Sequence, residues 1–200
     1  MIELQPPFRH ATPADAPALA DLVNFASEGL ALYVWTKVAG PSGNPWQVGR
    51  ERARRDTGAF SYRNATVIEE GTRVVAGLIG YALPDRPQPI PDDMPAMFRP
   101  LHELENLAPA TWYVNVLAAY PEDRGKGHGS ALLGLAERLA ADTGRRGLGI
   151  IVSDANEGAR RLYERCGYRE TARRRKVKED WQSLGTNWVL LVKGCNIAAR

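Results

Sequence analysis

Apolar residues recur along this chain in two rhythms, and the points where one gives way to the other mark its elements. Phe8-Arg9-His10 reads as a short opening strand. Thr12-Pro13-Ala14-Asp15 has the form of a helix start, with Thr12 as cap, Pro13 at the first position, where no N–H is needed, and Asp15 closing a capping box. Leu19, Leu22, Val23 and Ala26 follow at helical spacing and are expected to face a core, with Gly29 interrupting or ending the helix. Leu32 to Trp35 continues a helix or forms a packed bend, Gly40 to Pro45 punctuates the chain, and Pro45 stands near the start of a second helix running toward Asp56.

Period-two patterning takes over next. Residues 62–69 and 73–83 predict a hairpin, with Gly71 in the turn and Gly77 marking either a bulge or a close approach. A proline-rich excursion, 84–109, is too long for structureless loop, so a short helix within 93–106 is expected. Thr111 to Tyr120 has the β-branched and aromatic character of a central strand. Leu132, Leu133, Leu135, Ala136, Leu139 and Ala140 then form the buried stripe of a helix ending near Gly144, and Leu148 to Val152 is a short buried strand. The crossover between these two strands predicts a right-handed parallel βαβ unit. Asp154 is the expected cap of the next helix, with Glu157 opposite it. Ala159, Leu162, Tyr163 and Cys166 share a face of that helix, and Gly167 suits its terminal turn. Tyr168 to Val177 and Asn187 to Lys193 predict a closing antiparallel pair.

Composition narrows the class. Two hundred residues with 44% apolar and 24% charged content suit one domain, 1–200, with a variable excursion around 84–110. No apolar run reaches membrane-spanning length and the first residues do not read as a signal peptide, so a cytoplasmic protein is expected. Cys166 reads as a small buried hydrophobe; Cys195 is a candidate exposed thiol; the two make no metal-ligand cluster. The net charge of +3 is concentrated in Arg169, Arg173, Arg174, Arg175, Lys176 and Lys178, a run that reads first as a solvated strand face. No nucleic-acid-binding signature accompanies it.

The segment with most chemical content is Ala119-Tyr-Pro-Glu-Asp-Arg-Gly-Lys-Gly-His-Gly-Ser130, between the central strand and the following helix. Gly125, Gly127 and Gly129 let the backbone turn tightly and bring several N–H groups against an anion at a helix start, where the peptide dipoles add positive potential. Arg124 and Lys126 can supplement them. A Walker A loop is excluded because Lys126 precedes the closing glycine, and Gly125-x-Gly127-x-Gly129 lacks the spacing of a dinucleotide fingerprint.

Val114 to Leu133 resembles the acetyl-CoA-binding motif of the GNAT superfamily of N-acetyltransferases, with the core [Gln/Arg]-x-x-Gly-x-[Gly/Ala] present as Arg124-Gly125-Lys126-Gly127-His128-Gly129. Asp154 to Tyr168 resembles the family's second motif, in the right order and separation. The resemblance implies an α/β (mixed α+β) fold, a central mixed sheet of about six or seven strands flanked by helices on both faces and opened near its middle. It implies that Leu117, Ala118 and Ala119 meet the pantetheine arm or thioester through their backbone. Arg124, Gly125, Lys126, Gly127, His128, Gly129 and Ser130 would hold the pyrophosphate, and Asn156, Ala159 and Tyr163 would lie near the arm. Asn156 has a competing reading as a local turn residue, and Tyr163 as a core tyrosine.

The implied activity is transfer of acetyl from acetyl-CoA to a primary amine by direct attack in a ternary complex, without a metal. Tyr163 is the family-matched acid for the departing sulfur, and the Leu117 N–H the oxyanion donor. The base is the departure from pattern: the strand position that carries Glu in some members falls near Tyr113, and Asn115 supplies no carboxylate, so water, Glu103, Glu105 and Asp154 remain open. A second departure, Asp123, replaces the usual aromatic before Arg124 and either shapes the turn or opposes the pyrophosphate. Tyr33, Trp35 and Trp46 are candidates for specificity or for core packing. For the basic run, an acidic acceptor, the CoA phosphates or nucleic acid are the alternatives to a solvated face, nucleic acid the least favoured. The acceptor is a small-molecule or protein amine: simple amines, aminoglycosides, amino acids, polyamines, protein N-termini and lysines all stay open. A homodimer is compatible with the sequence. The alternative in a different class is an acyl-CoA-binding regulatory or partner-binding module without efficient turnover.

Overall fold

The computed structural model describes residues 2–194. Seven strands form one mixed sheet in the order β1-β2-β3-β4-β5-β7-β6, flanked by helices. The chain divides into two compact units: residues up to Gly80 with Asn115–Leu132, and Tyr81–Val114 with the residues from Leu133 on. Strands β3 (Arg73–Ala82) and β4 (Trp112–Ala119) and helix α5 (His128–Asp142) each run from one unit into the other.

In the first unit, β1 (Phe8–His10) pairs antiparallel with β2 (Ala65–Glu70), and β2 with β3. The Thr12 N–H and hydroxyl both donate to the Asp15 carboxylate, at 2.7 and 3.1 Å, and Pro13 opens a 3-10 turn ahead of α1 (Ala16–Ala26). Arg9 joins this corner to the sheet, reaching Asp15 at 2.8 and 2.9 Å and Glu69 at 2.6 Å. Leu19 and Leu22 of α1 are buried with Val67, Ile79 and Val116, so the predicted stripe is the core face. Glu28 and Gly29 take positive φ and end the helix, and α2 (Leu30–Ala39) begins at once; the uncertain Leu32–Trp35 stretch is therefore helical. Asn44 accepts from the Trp46 N–H at 3.0 Å and caps α3 (Pro45–Ala53). Trp35 is 2% exposed, stacks on Phe60 with ring centroids 6.0 Å apart and lies against Gly49, which makes it a core residue.

The hairpin is as expected, except that residues 62–64 form a 3-10 turn ahead of the strand. The irregularity in its ladder lies at Ile68/Glu69, not at Gly77. A β-carbon on Gly77 would stand 2.8 Å from Leu22 Cδ1, so this glycine marks the close packing of β3 against α1.

In the second unit, α4 (Arg99–Glu105) is the helix inside the proline-rich excursion. β4 runs parallel to β5 (Gly147–Ser153) over three pairs, Trp112↔Leu148 to Val114↔Ile150. β7 (Asn187–Gly194) pairs antiparallel with β5 on one side and β6 (Arg169–Arg175) on the other, so β6, the earlier strand, takes the sheet edge. Helix α6 (Glu157–Arg165) corrects one expectation: Asn156, not Asp154, is its cap, accepting from the Ala159 N–H at 3.1 Å. Asp154 instead takes the Thr186 N–H at 2.8 Å and two donors of Asn187 at 3.0 and 2.9 Å, which ties the end of β5 to the start of β7. Cys166 is a half-buried free thiol, whereas Cys195 lies outside the described residues.

Replacing Gly77 by Ala should cost about 1–3 kcal/mol, because the added methyl forces Leu22, itself 1% exposed, to repack within the core. Urea unfolding should show a lower midpoint with an unchanged slope; an unshifted midpoint would mean that α1 yields freely.

Candidate active site

The glycine turn lies in the first unit. Gly125 and Gly127 have φ of 79° and 89°, and a β-carbon on either would meet nothing within 4 Å, so it is backbone conformation that demands glycine here. The first bond of α5 runs from the Ala131 N–H to the Gly127 carbonyl at 3.1 Å, which leaves the N–H groups of His128, Gly129 and Ser130 as the free donors of a helix start. Such donors, in an exposed loop that keeps side chains out of the way, suit a pyrophosphate. Arg124 lies over the Phe25 ring at 5.9 Å and donates weakly to the Ala119 carbonyl at 3.4 Å. His128 is mostly buried, with Nε2 3.6 Å from Glu70 Oε1, beyond hydrogen-bond reach.

Asp123 holds the turn's shape. Its carboxylate has no solvent exposure and receives Arg73 at 2.6 and 3.1 Å and Lys126 at 2.7 Å; these two partners hold its pKa down at about 2. Of the two roles open for Asp123, turn formation is the one the hydrogen bonds describe. Lys126 therefore spends its ammonium inside the turn. Arg73 lies 50 residues away in sequence, and no local pattern points to it. Leu117, Ala118 and Ala119 are half-buried on β4, past its last pair with β5. Nearby, the Tyr120 hydroxyl donates to Asp21 at 2.8 Å and its ring meets Phe25 edge-on.

The second unit holds the titratable groups. Tyr163, on the inner face of α6, is 5% exposed, and burial raises its pKa above the ordinary phenol value; its ring packs on Tyr168 at 6.1 Å. A phenol held neutral in this way can donate a proton and resists losing one to bulk water. Ala159 is half-buried one turn earlier, and Asn156 spends its carbonyl oxygen on the α6 cap, the local role that the sequence left open.

The carboxylates separate clearly. Glu103 accepts from Arg174 Nε at 2.7 Å, an ion pair that occupies it. Asp154, despite burial working against its charge, is kept below the usual carboxylate range by Asn187 and Thr186. Glu105 differs from both: its side chain is 18% exposed, its near partner is His102 Nδ1 at 3.2 Å, and burial raises its pKa to about 7. Burial also lowers the pKa of His102, so the imidazole is a poor cation. Tyr81 and Tyr113 meet edge to face at 5.7 Å and both feel the Glu105 charge, and Tyr113 also feels Tyr163. Burial first, then these neighbours, raises both phenols. Tyr81, Tyr113 and His102 were not legible as site residues, because they come from three elements with no shared motif.

The basic run is largely the solvated face expected of it, with Arg169, Arg173 and Arg175 exposed, and Lys176 is the exception. Lys176 is 6% exposed, with Nζ 2.7 Å from Ser153 Oγ and 3.0 Å from Ser183 Oγ, and it lies over the stacked indoles of Trp188 and Trp181 at 4.3 and 5.2 Å. Arg173 pairs with Glu170 and Arg174 with Glu103. Among the described residues no group of three or more His, Cys, Asp or Glu could hold a metal ion, and no helix is long and apolar enough to cross a membrane.

Residues 31–168 match the family model described as Acetyltransferase (GNAT) family, and the chain belongs to that family. General acetyl-CoA-dependent acetyl transfer is the activity this membership supports. Solved structures agree on the fold. A protein described as an acetyltransferase is 23% identical with TM-score 0.65, covering 94% of this chain and 98% of its own. An N-acetyltransferase from Staphylococcus aureus Mu50 is 17% identical with TM-score 0.63, covering 93% and 99%. A GNAT family acetyltransferase from Elizabethkingia anophelis, solved with acetyl-CoA bound, is 16% identical with TM-score 0.56, covering 95% and 99%. No curated protein matches the chain.

Asp123→Asn should release Arg73 and Lys126 and destabilise the turn. Because the folded carboxyl lies below its ordinary value of 3.8, its contribution is complete above that value and fades as pH falls through about 2. The urea midpoint of the variant should therefore lie below wild type at neutral pH and converge on it between about pH 4 and about pH 2; a gap that persists at the acid end would remove the ion-pair account.

Proposed function

We propose that this protein transfers acetyl from acetyl-CoA to a primary amine by direct attack in a ternary complex, with Glu105 as base and Tyr163 as acid. The observation that carries this reading is the state of Glu105: a desolvated carboxylate near neutrality, close to buried phenols, in a chain whose family-matched acid is intact. Acetyl-CoA supplies the activated thioester. The N–H groups of 128–130 and Arg124 bind its pyrophosphate, and the backbone of Leu117, Ala118 and Ala119 accepts the arm as a strand would.

Amine attack requires a free nitrogen lone pair. Glu105 in its ionised form takes the ammonium proton, a transfer that runs uphill from an alkylammonium of pKa about 10 and is eased by a base whose pKa lies near the working pH rather than in the ordinary carboxylate range. The nitrogen forms its bond to the carbonyl carbon while the Leu117 N–H stabilises the charge on oxygen. The carbon–sulfur bond then breaks, the sulfur takes the Tyr163 proton, and the acylated nitrogen releases its second proton to water. The products are an amide and free CoA, and solvent exchange resets the two side chains.

Tyr163→Phe should lower kcat by about 10²–10⁴-fold with little change in the KM for acetyl-CoA. Glu105→Gln should remove the rise in kcat/KM as pH increases through about 7, since the base works only once deprotonated. Stopped assays of CoA release across an amine panel measure both. Full activity in the phenylalanine variant at saturating substrate would eliminate Tyr163 as acid.

A further inference from the structure

Three cations lie on or beside the glycine turn, and they are not equivalent. Arg73 and Lys126 both donate to the buried Asp123 carboxylate, at 2.6 and 2.7 Å, so their charge is answered inside the protein. Arg124 is exposed, and its partners are of another kind: the Phe25 ring, 5.9 Å from the guanidinium, and the Ala119 carbonyl, which accepts from Nε at 3.4 Å. Neither carries a negative charge. A ring face covers one side of a guanidinium without neutralising it, so the charge and the N–H groups of both terminal nitrogens stay available to a ligand.

Phe25 is itself fixed. It lies in the last turn of α1, half-buried and packed against the core of the first unit, with its ring edge-on to Tyr120 at 5.7 Å and 80°. Tyr120 is held at both ends: its N–H donates to the Val75 carbonyl of β3 at 3.0 Å, and its hydroxyl donates to Asp21 at 2.8 Å. Asp21 and Phe25 stand one helical turn apart, which puts them on the same face of α1. That face grips the exit of β4 at two points, and the second is the seat of Arg124. We propose that Phe25 is a positioning residue for the cofactor's diphosphate: its ring, braced by Tyr120, holds Arg124 in place as the cation that the diphosphate meets beside the N–H groups of 128–130. This rests on the acetyl-transfer reading, in which a diphosphate occupies the turn. An arginine that is already ordered loses less side-chain entropy on binding, and that saving is what the ring contributes. Phe25 lies outside the glycine motif, and no local pattern points to it.

Calorimetric titration of the full chain with free CoA tests this through a double-mutant cycle of Phe25→Leu, which keeps an apolar side chain against the core, and Arg124→Ala at an exposed position. Phe25→Leu should weaken CoA binding by roughly 2- to 10-fold, the entropy of ordering one long side chain. In the Arg124→Ala background the same change should have no further effect, because the ring then has no cation to hold. A merely structural Phe25 would lower affinity equally in both backgrounds. Arg124→Lys, which keeps the charge and loses the planar stack, should also weaken CoA binding, with an unchanged urea midpoint. This readout stands even if the leucine variant folds poorly. Repeating the titrations with 3′-dephospho-CoA separates the ligand's phosphate groups: an undiminished Phe25 effect assigns Arg124 to the diphosphate, and its disappearance overturns the proposal. Wild-type affinity for CoA in Phe25→Leu or in Arg124→Lys, or a Phe25 loss that simply adds to that of Arg124→Ala, also overturns it and leaves the acetyl-transfer reading intact. Failure of the wild-type chain to bind CoA would instead remove that reading, and this proposal with it.

Discussion

A charge withdrawn from water has to be answered by its surroundings, and three side chains here receive three different answers. Asp123 meets two cations and becomes a strong acid that organises a loop. Lys176 meets two serine hydroxyls and the faces of two indoles, which stabilise the ammonium and make it a structural pin between β5 and the β6–β7 connection. Glu105 meets an imidazole whose own charge is disfavoured, so the carboxyl is left near neutrality. The desolvation cost is common to all three, and the partner decides whether the group becomes structure or chemistry.

The architecture puts these groups where they act. The turn from Gly125 to Gly127 feeds the start of α5, so the free N–H groups come from the same helix whose later residues Leu133, Leu135 and Ala136 are buried in the other unit. β7 enters between β5 and β6, and Asp154 secures its first residues to the end of β5. Helix α4 interrupts the excursion and carries both carboxylates, Glu103 paired with Arg174 of β6 and Glu105 desolvated beside His102.

Much of this was legible in the chain. Hydrophobic spacing located α1, α5 and the hairpin because burial imposes its period on sequence, and the glycines of the loop announced positive φ because little else tolerates it. Tyr163 was singled out through a motif whose residues are neighbours in sequence. Within the basic run one residue misled, because composition records charge but not burial: Arg169, Arg173 and Arg175 are exposed, whereas Lys176, just past the strand, is buried. The Asp154 cap misled for a similar reason: two residues compete to cap a helix, and the loser was claimed by Asn187, 33 positions away.

By itself, the sequence determined the elements, the glycine turn at the start of α5 and the phenol on α6, since each follows from residues within a few positions of one another. The tertiary structure alone decided which carboxylate is left near neutrality. Glu103 and Glu105 are indistinguishable in the local pattern, yet one is paired with an arginine from β6 and the other is desolvated beside His102 of its own helix. A pKa depends on what surrounds a group in space, and those neighbours are chosen by long-range packing.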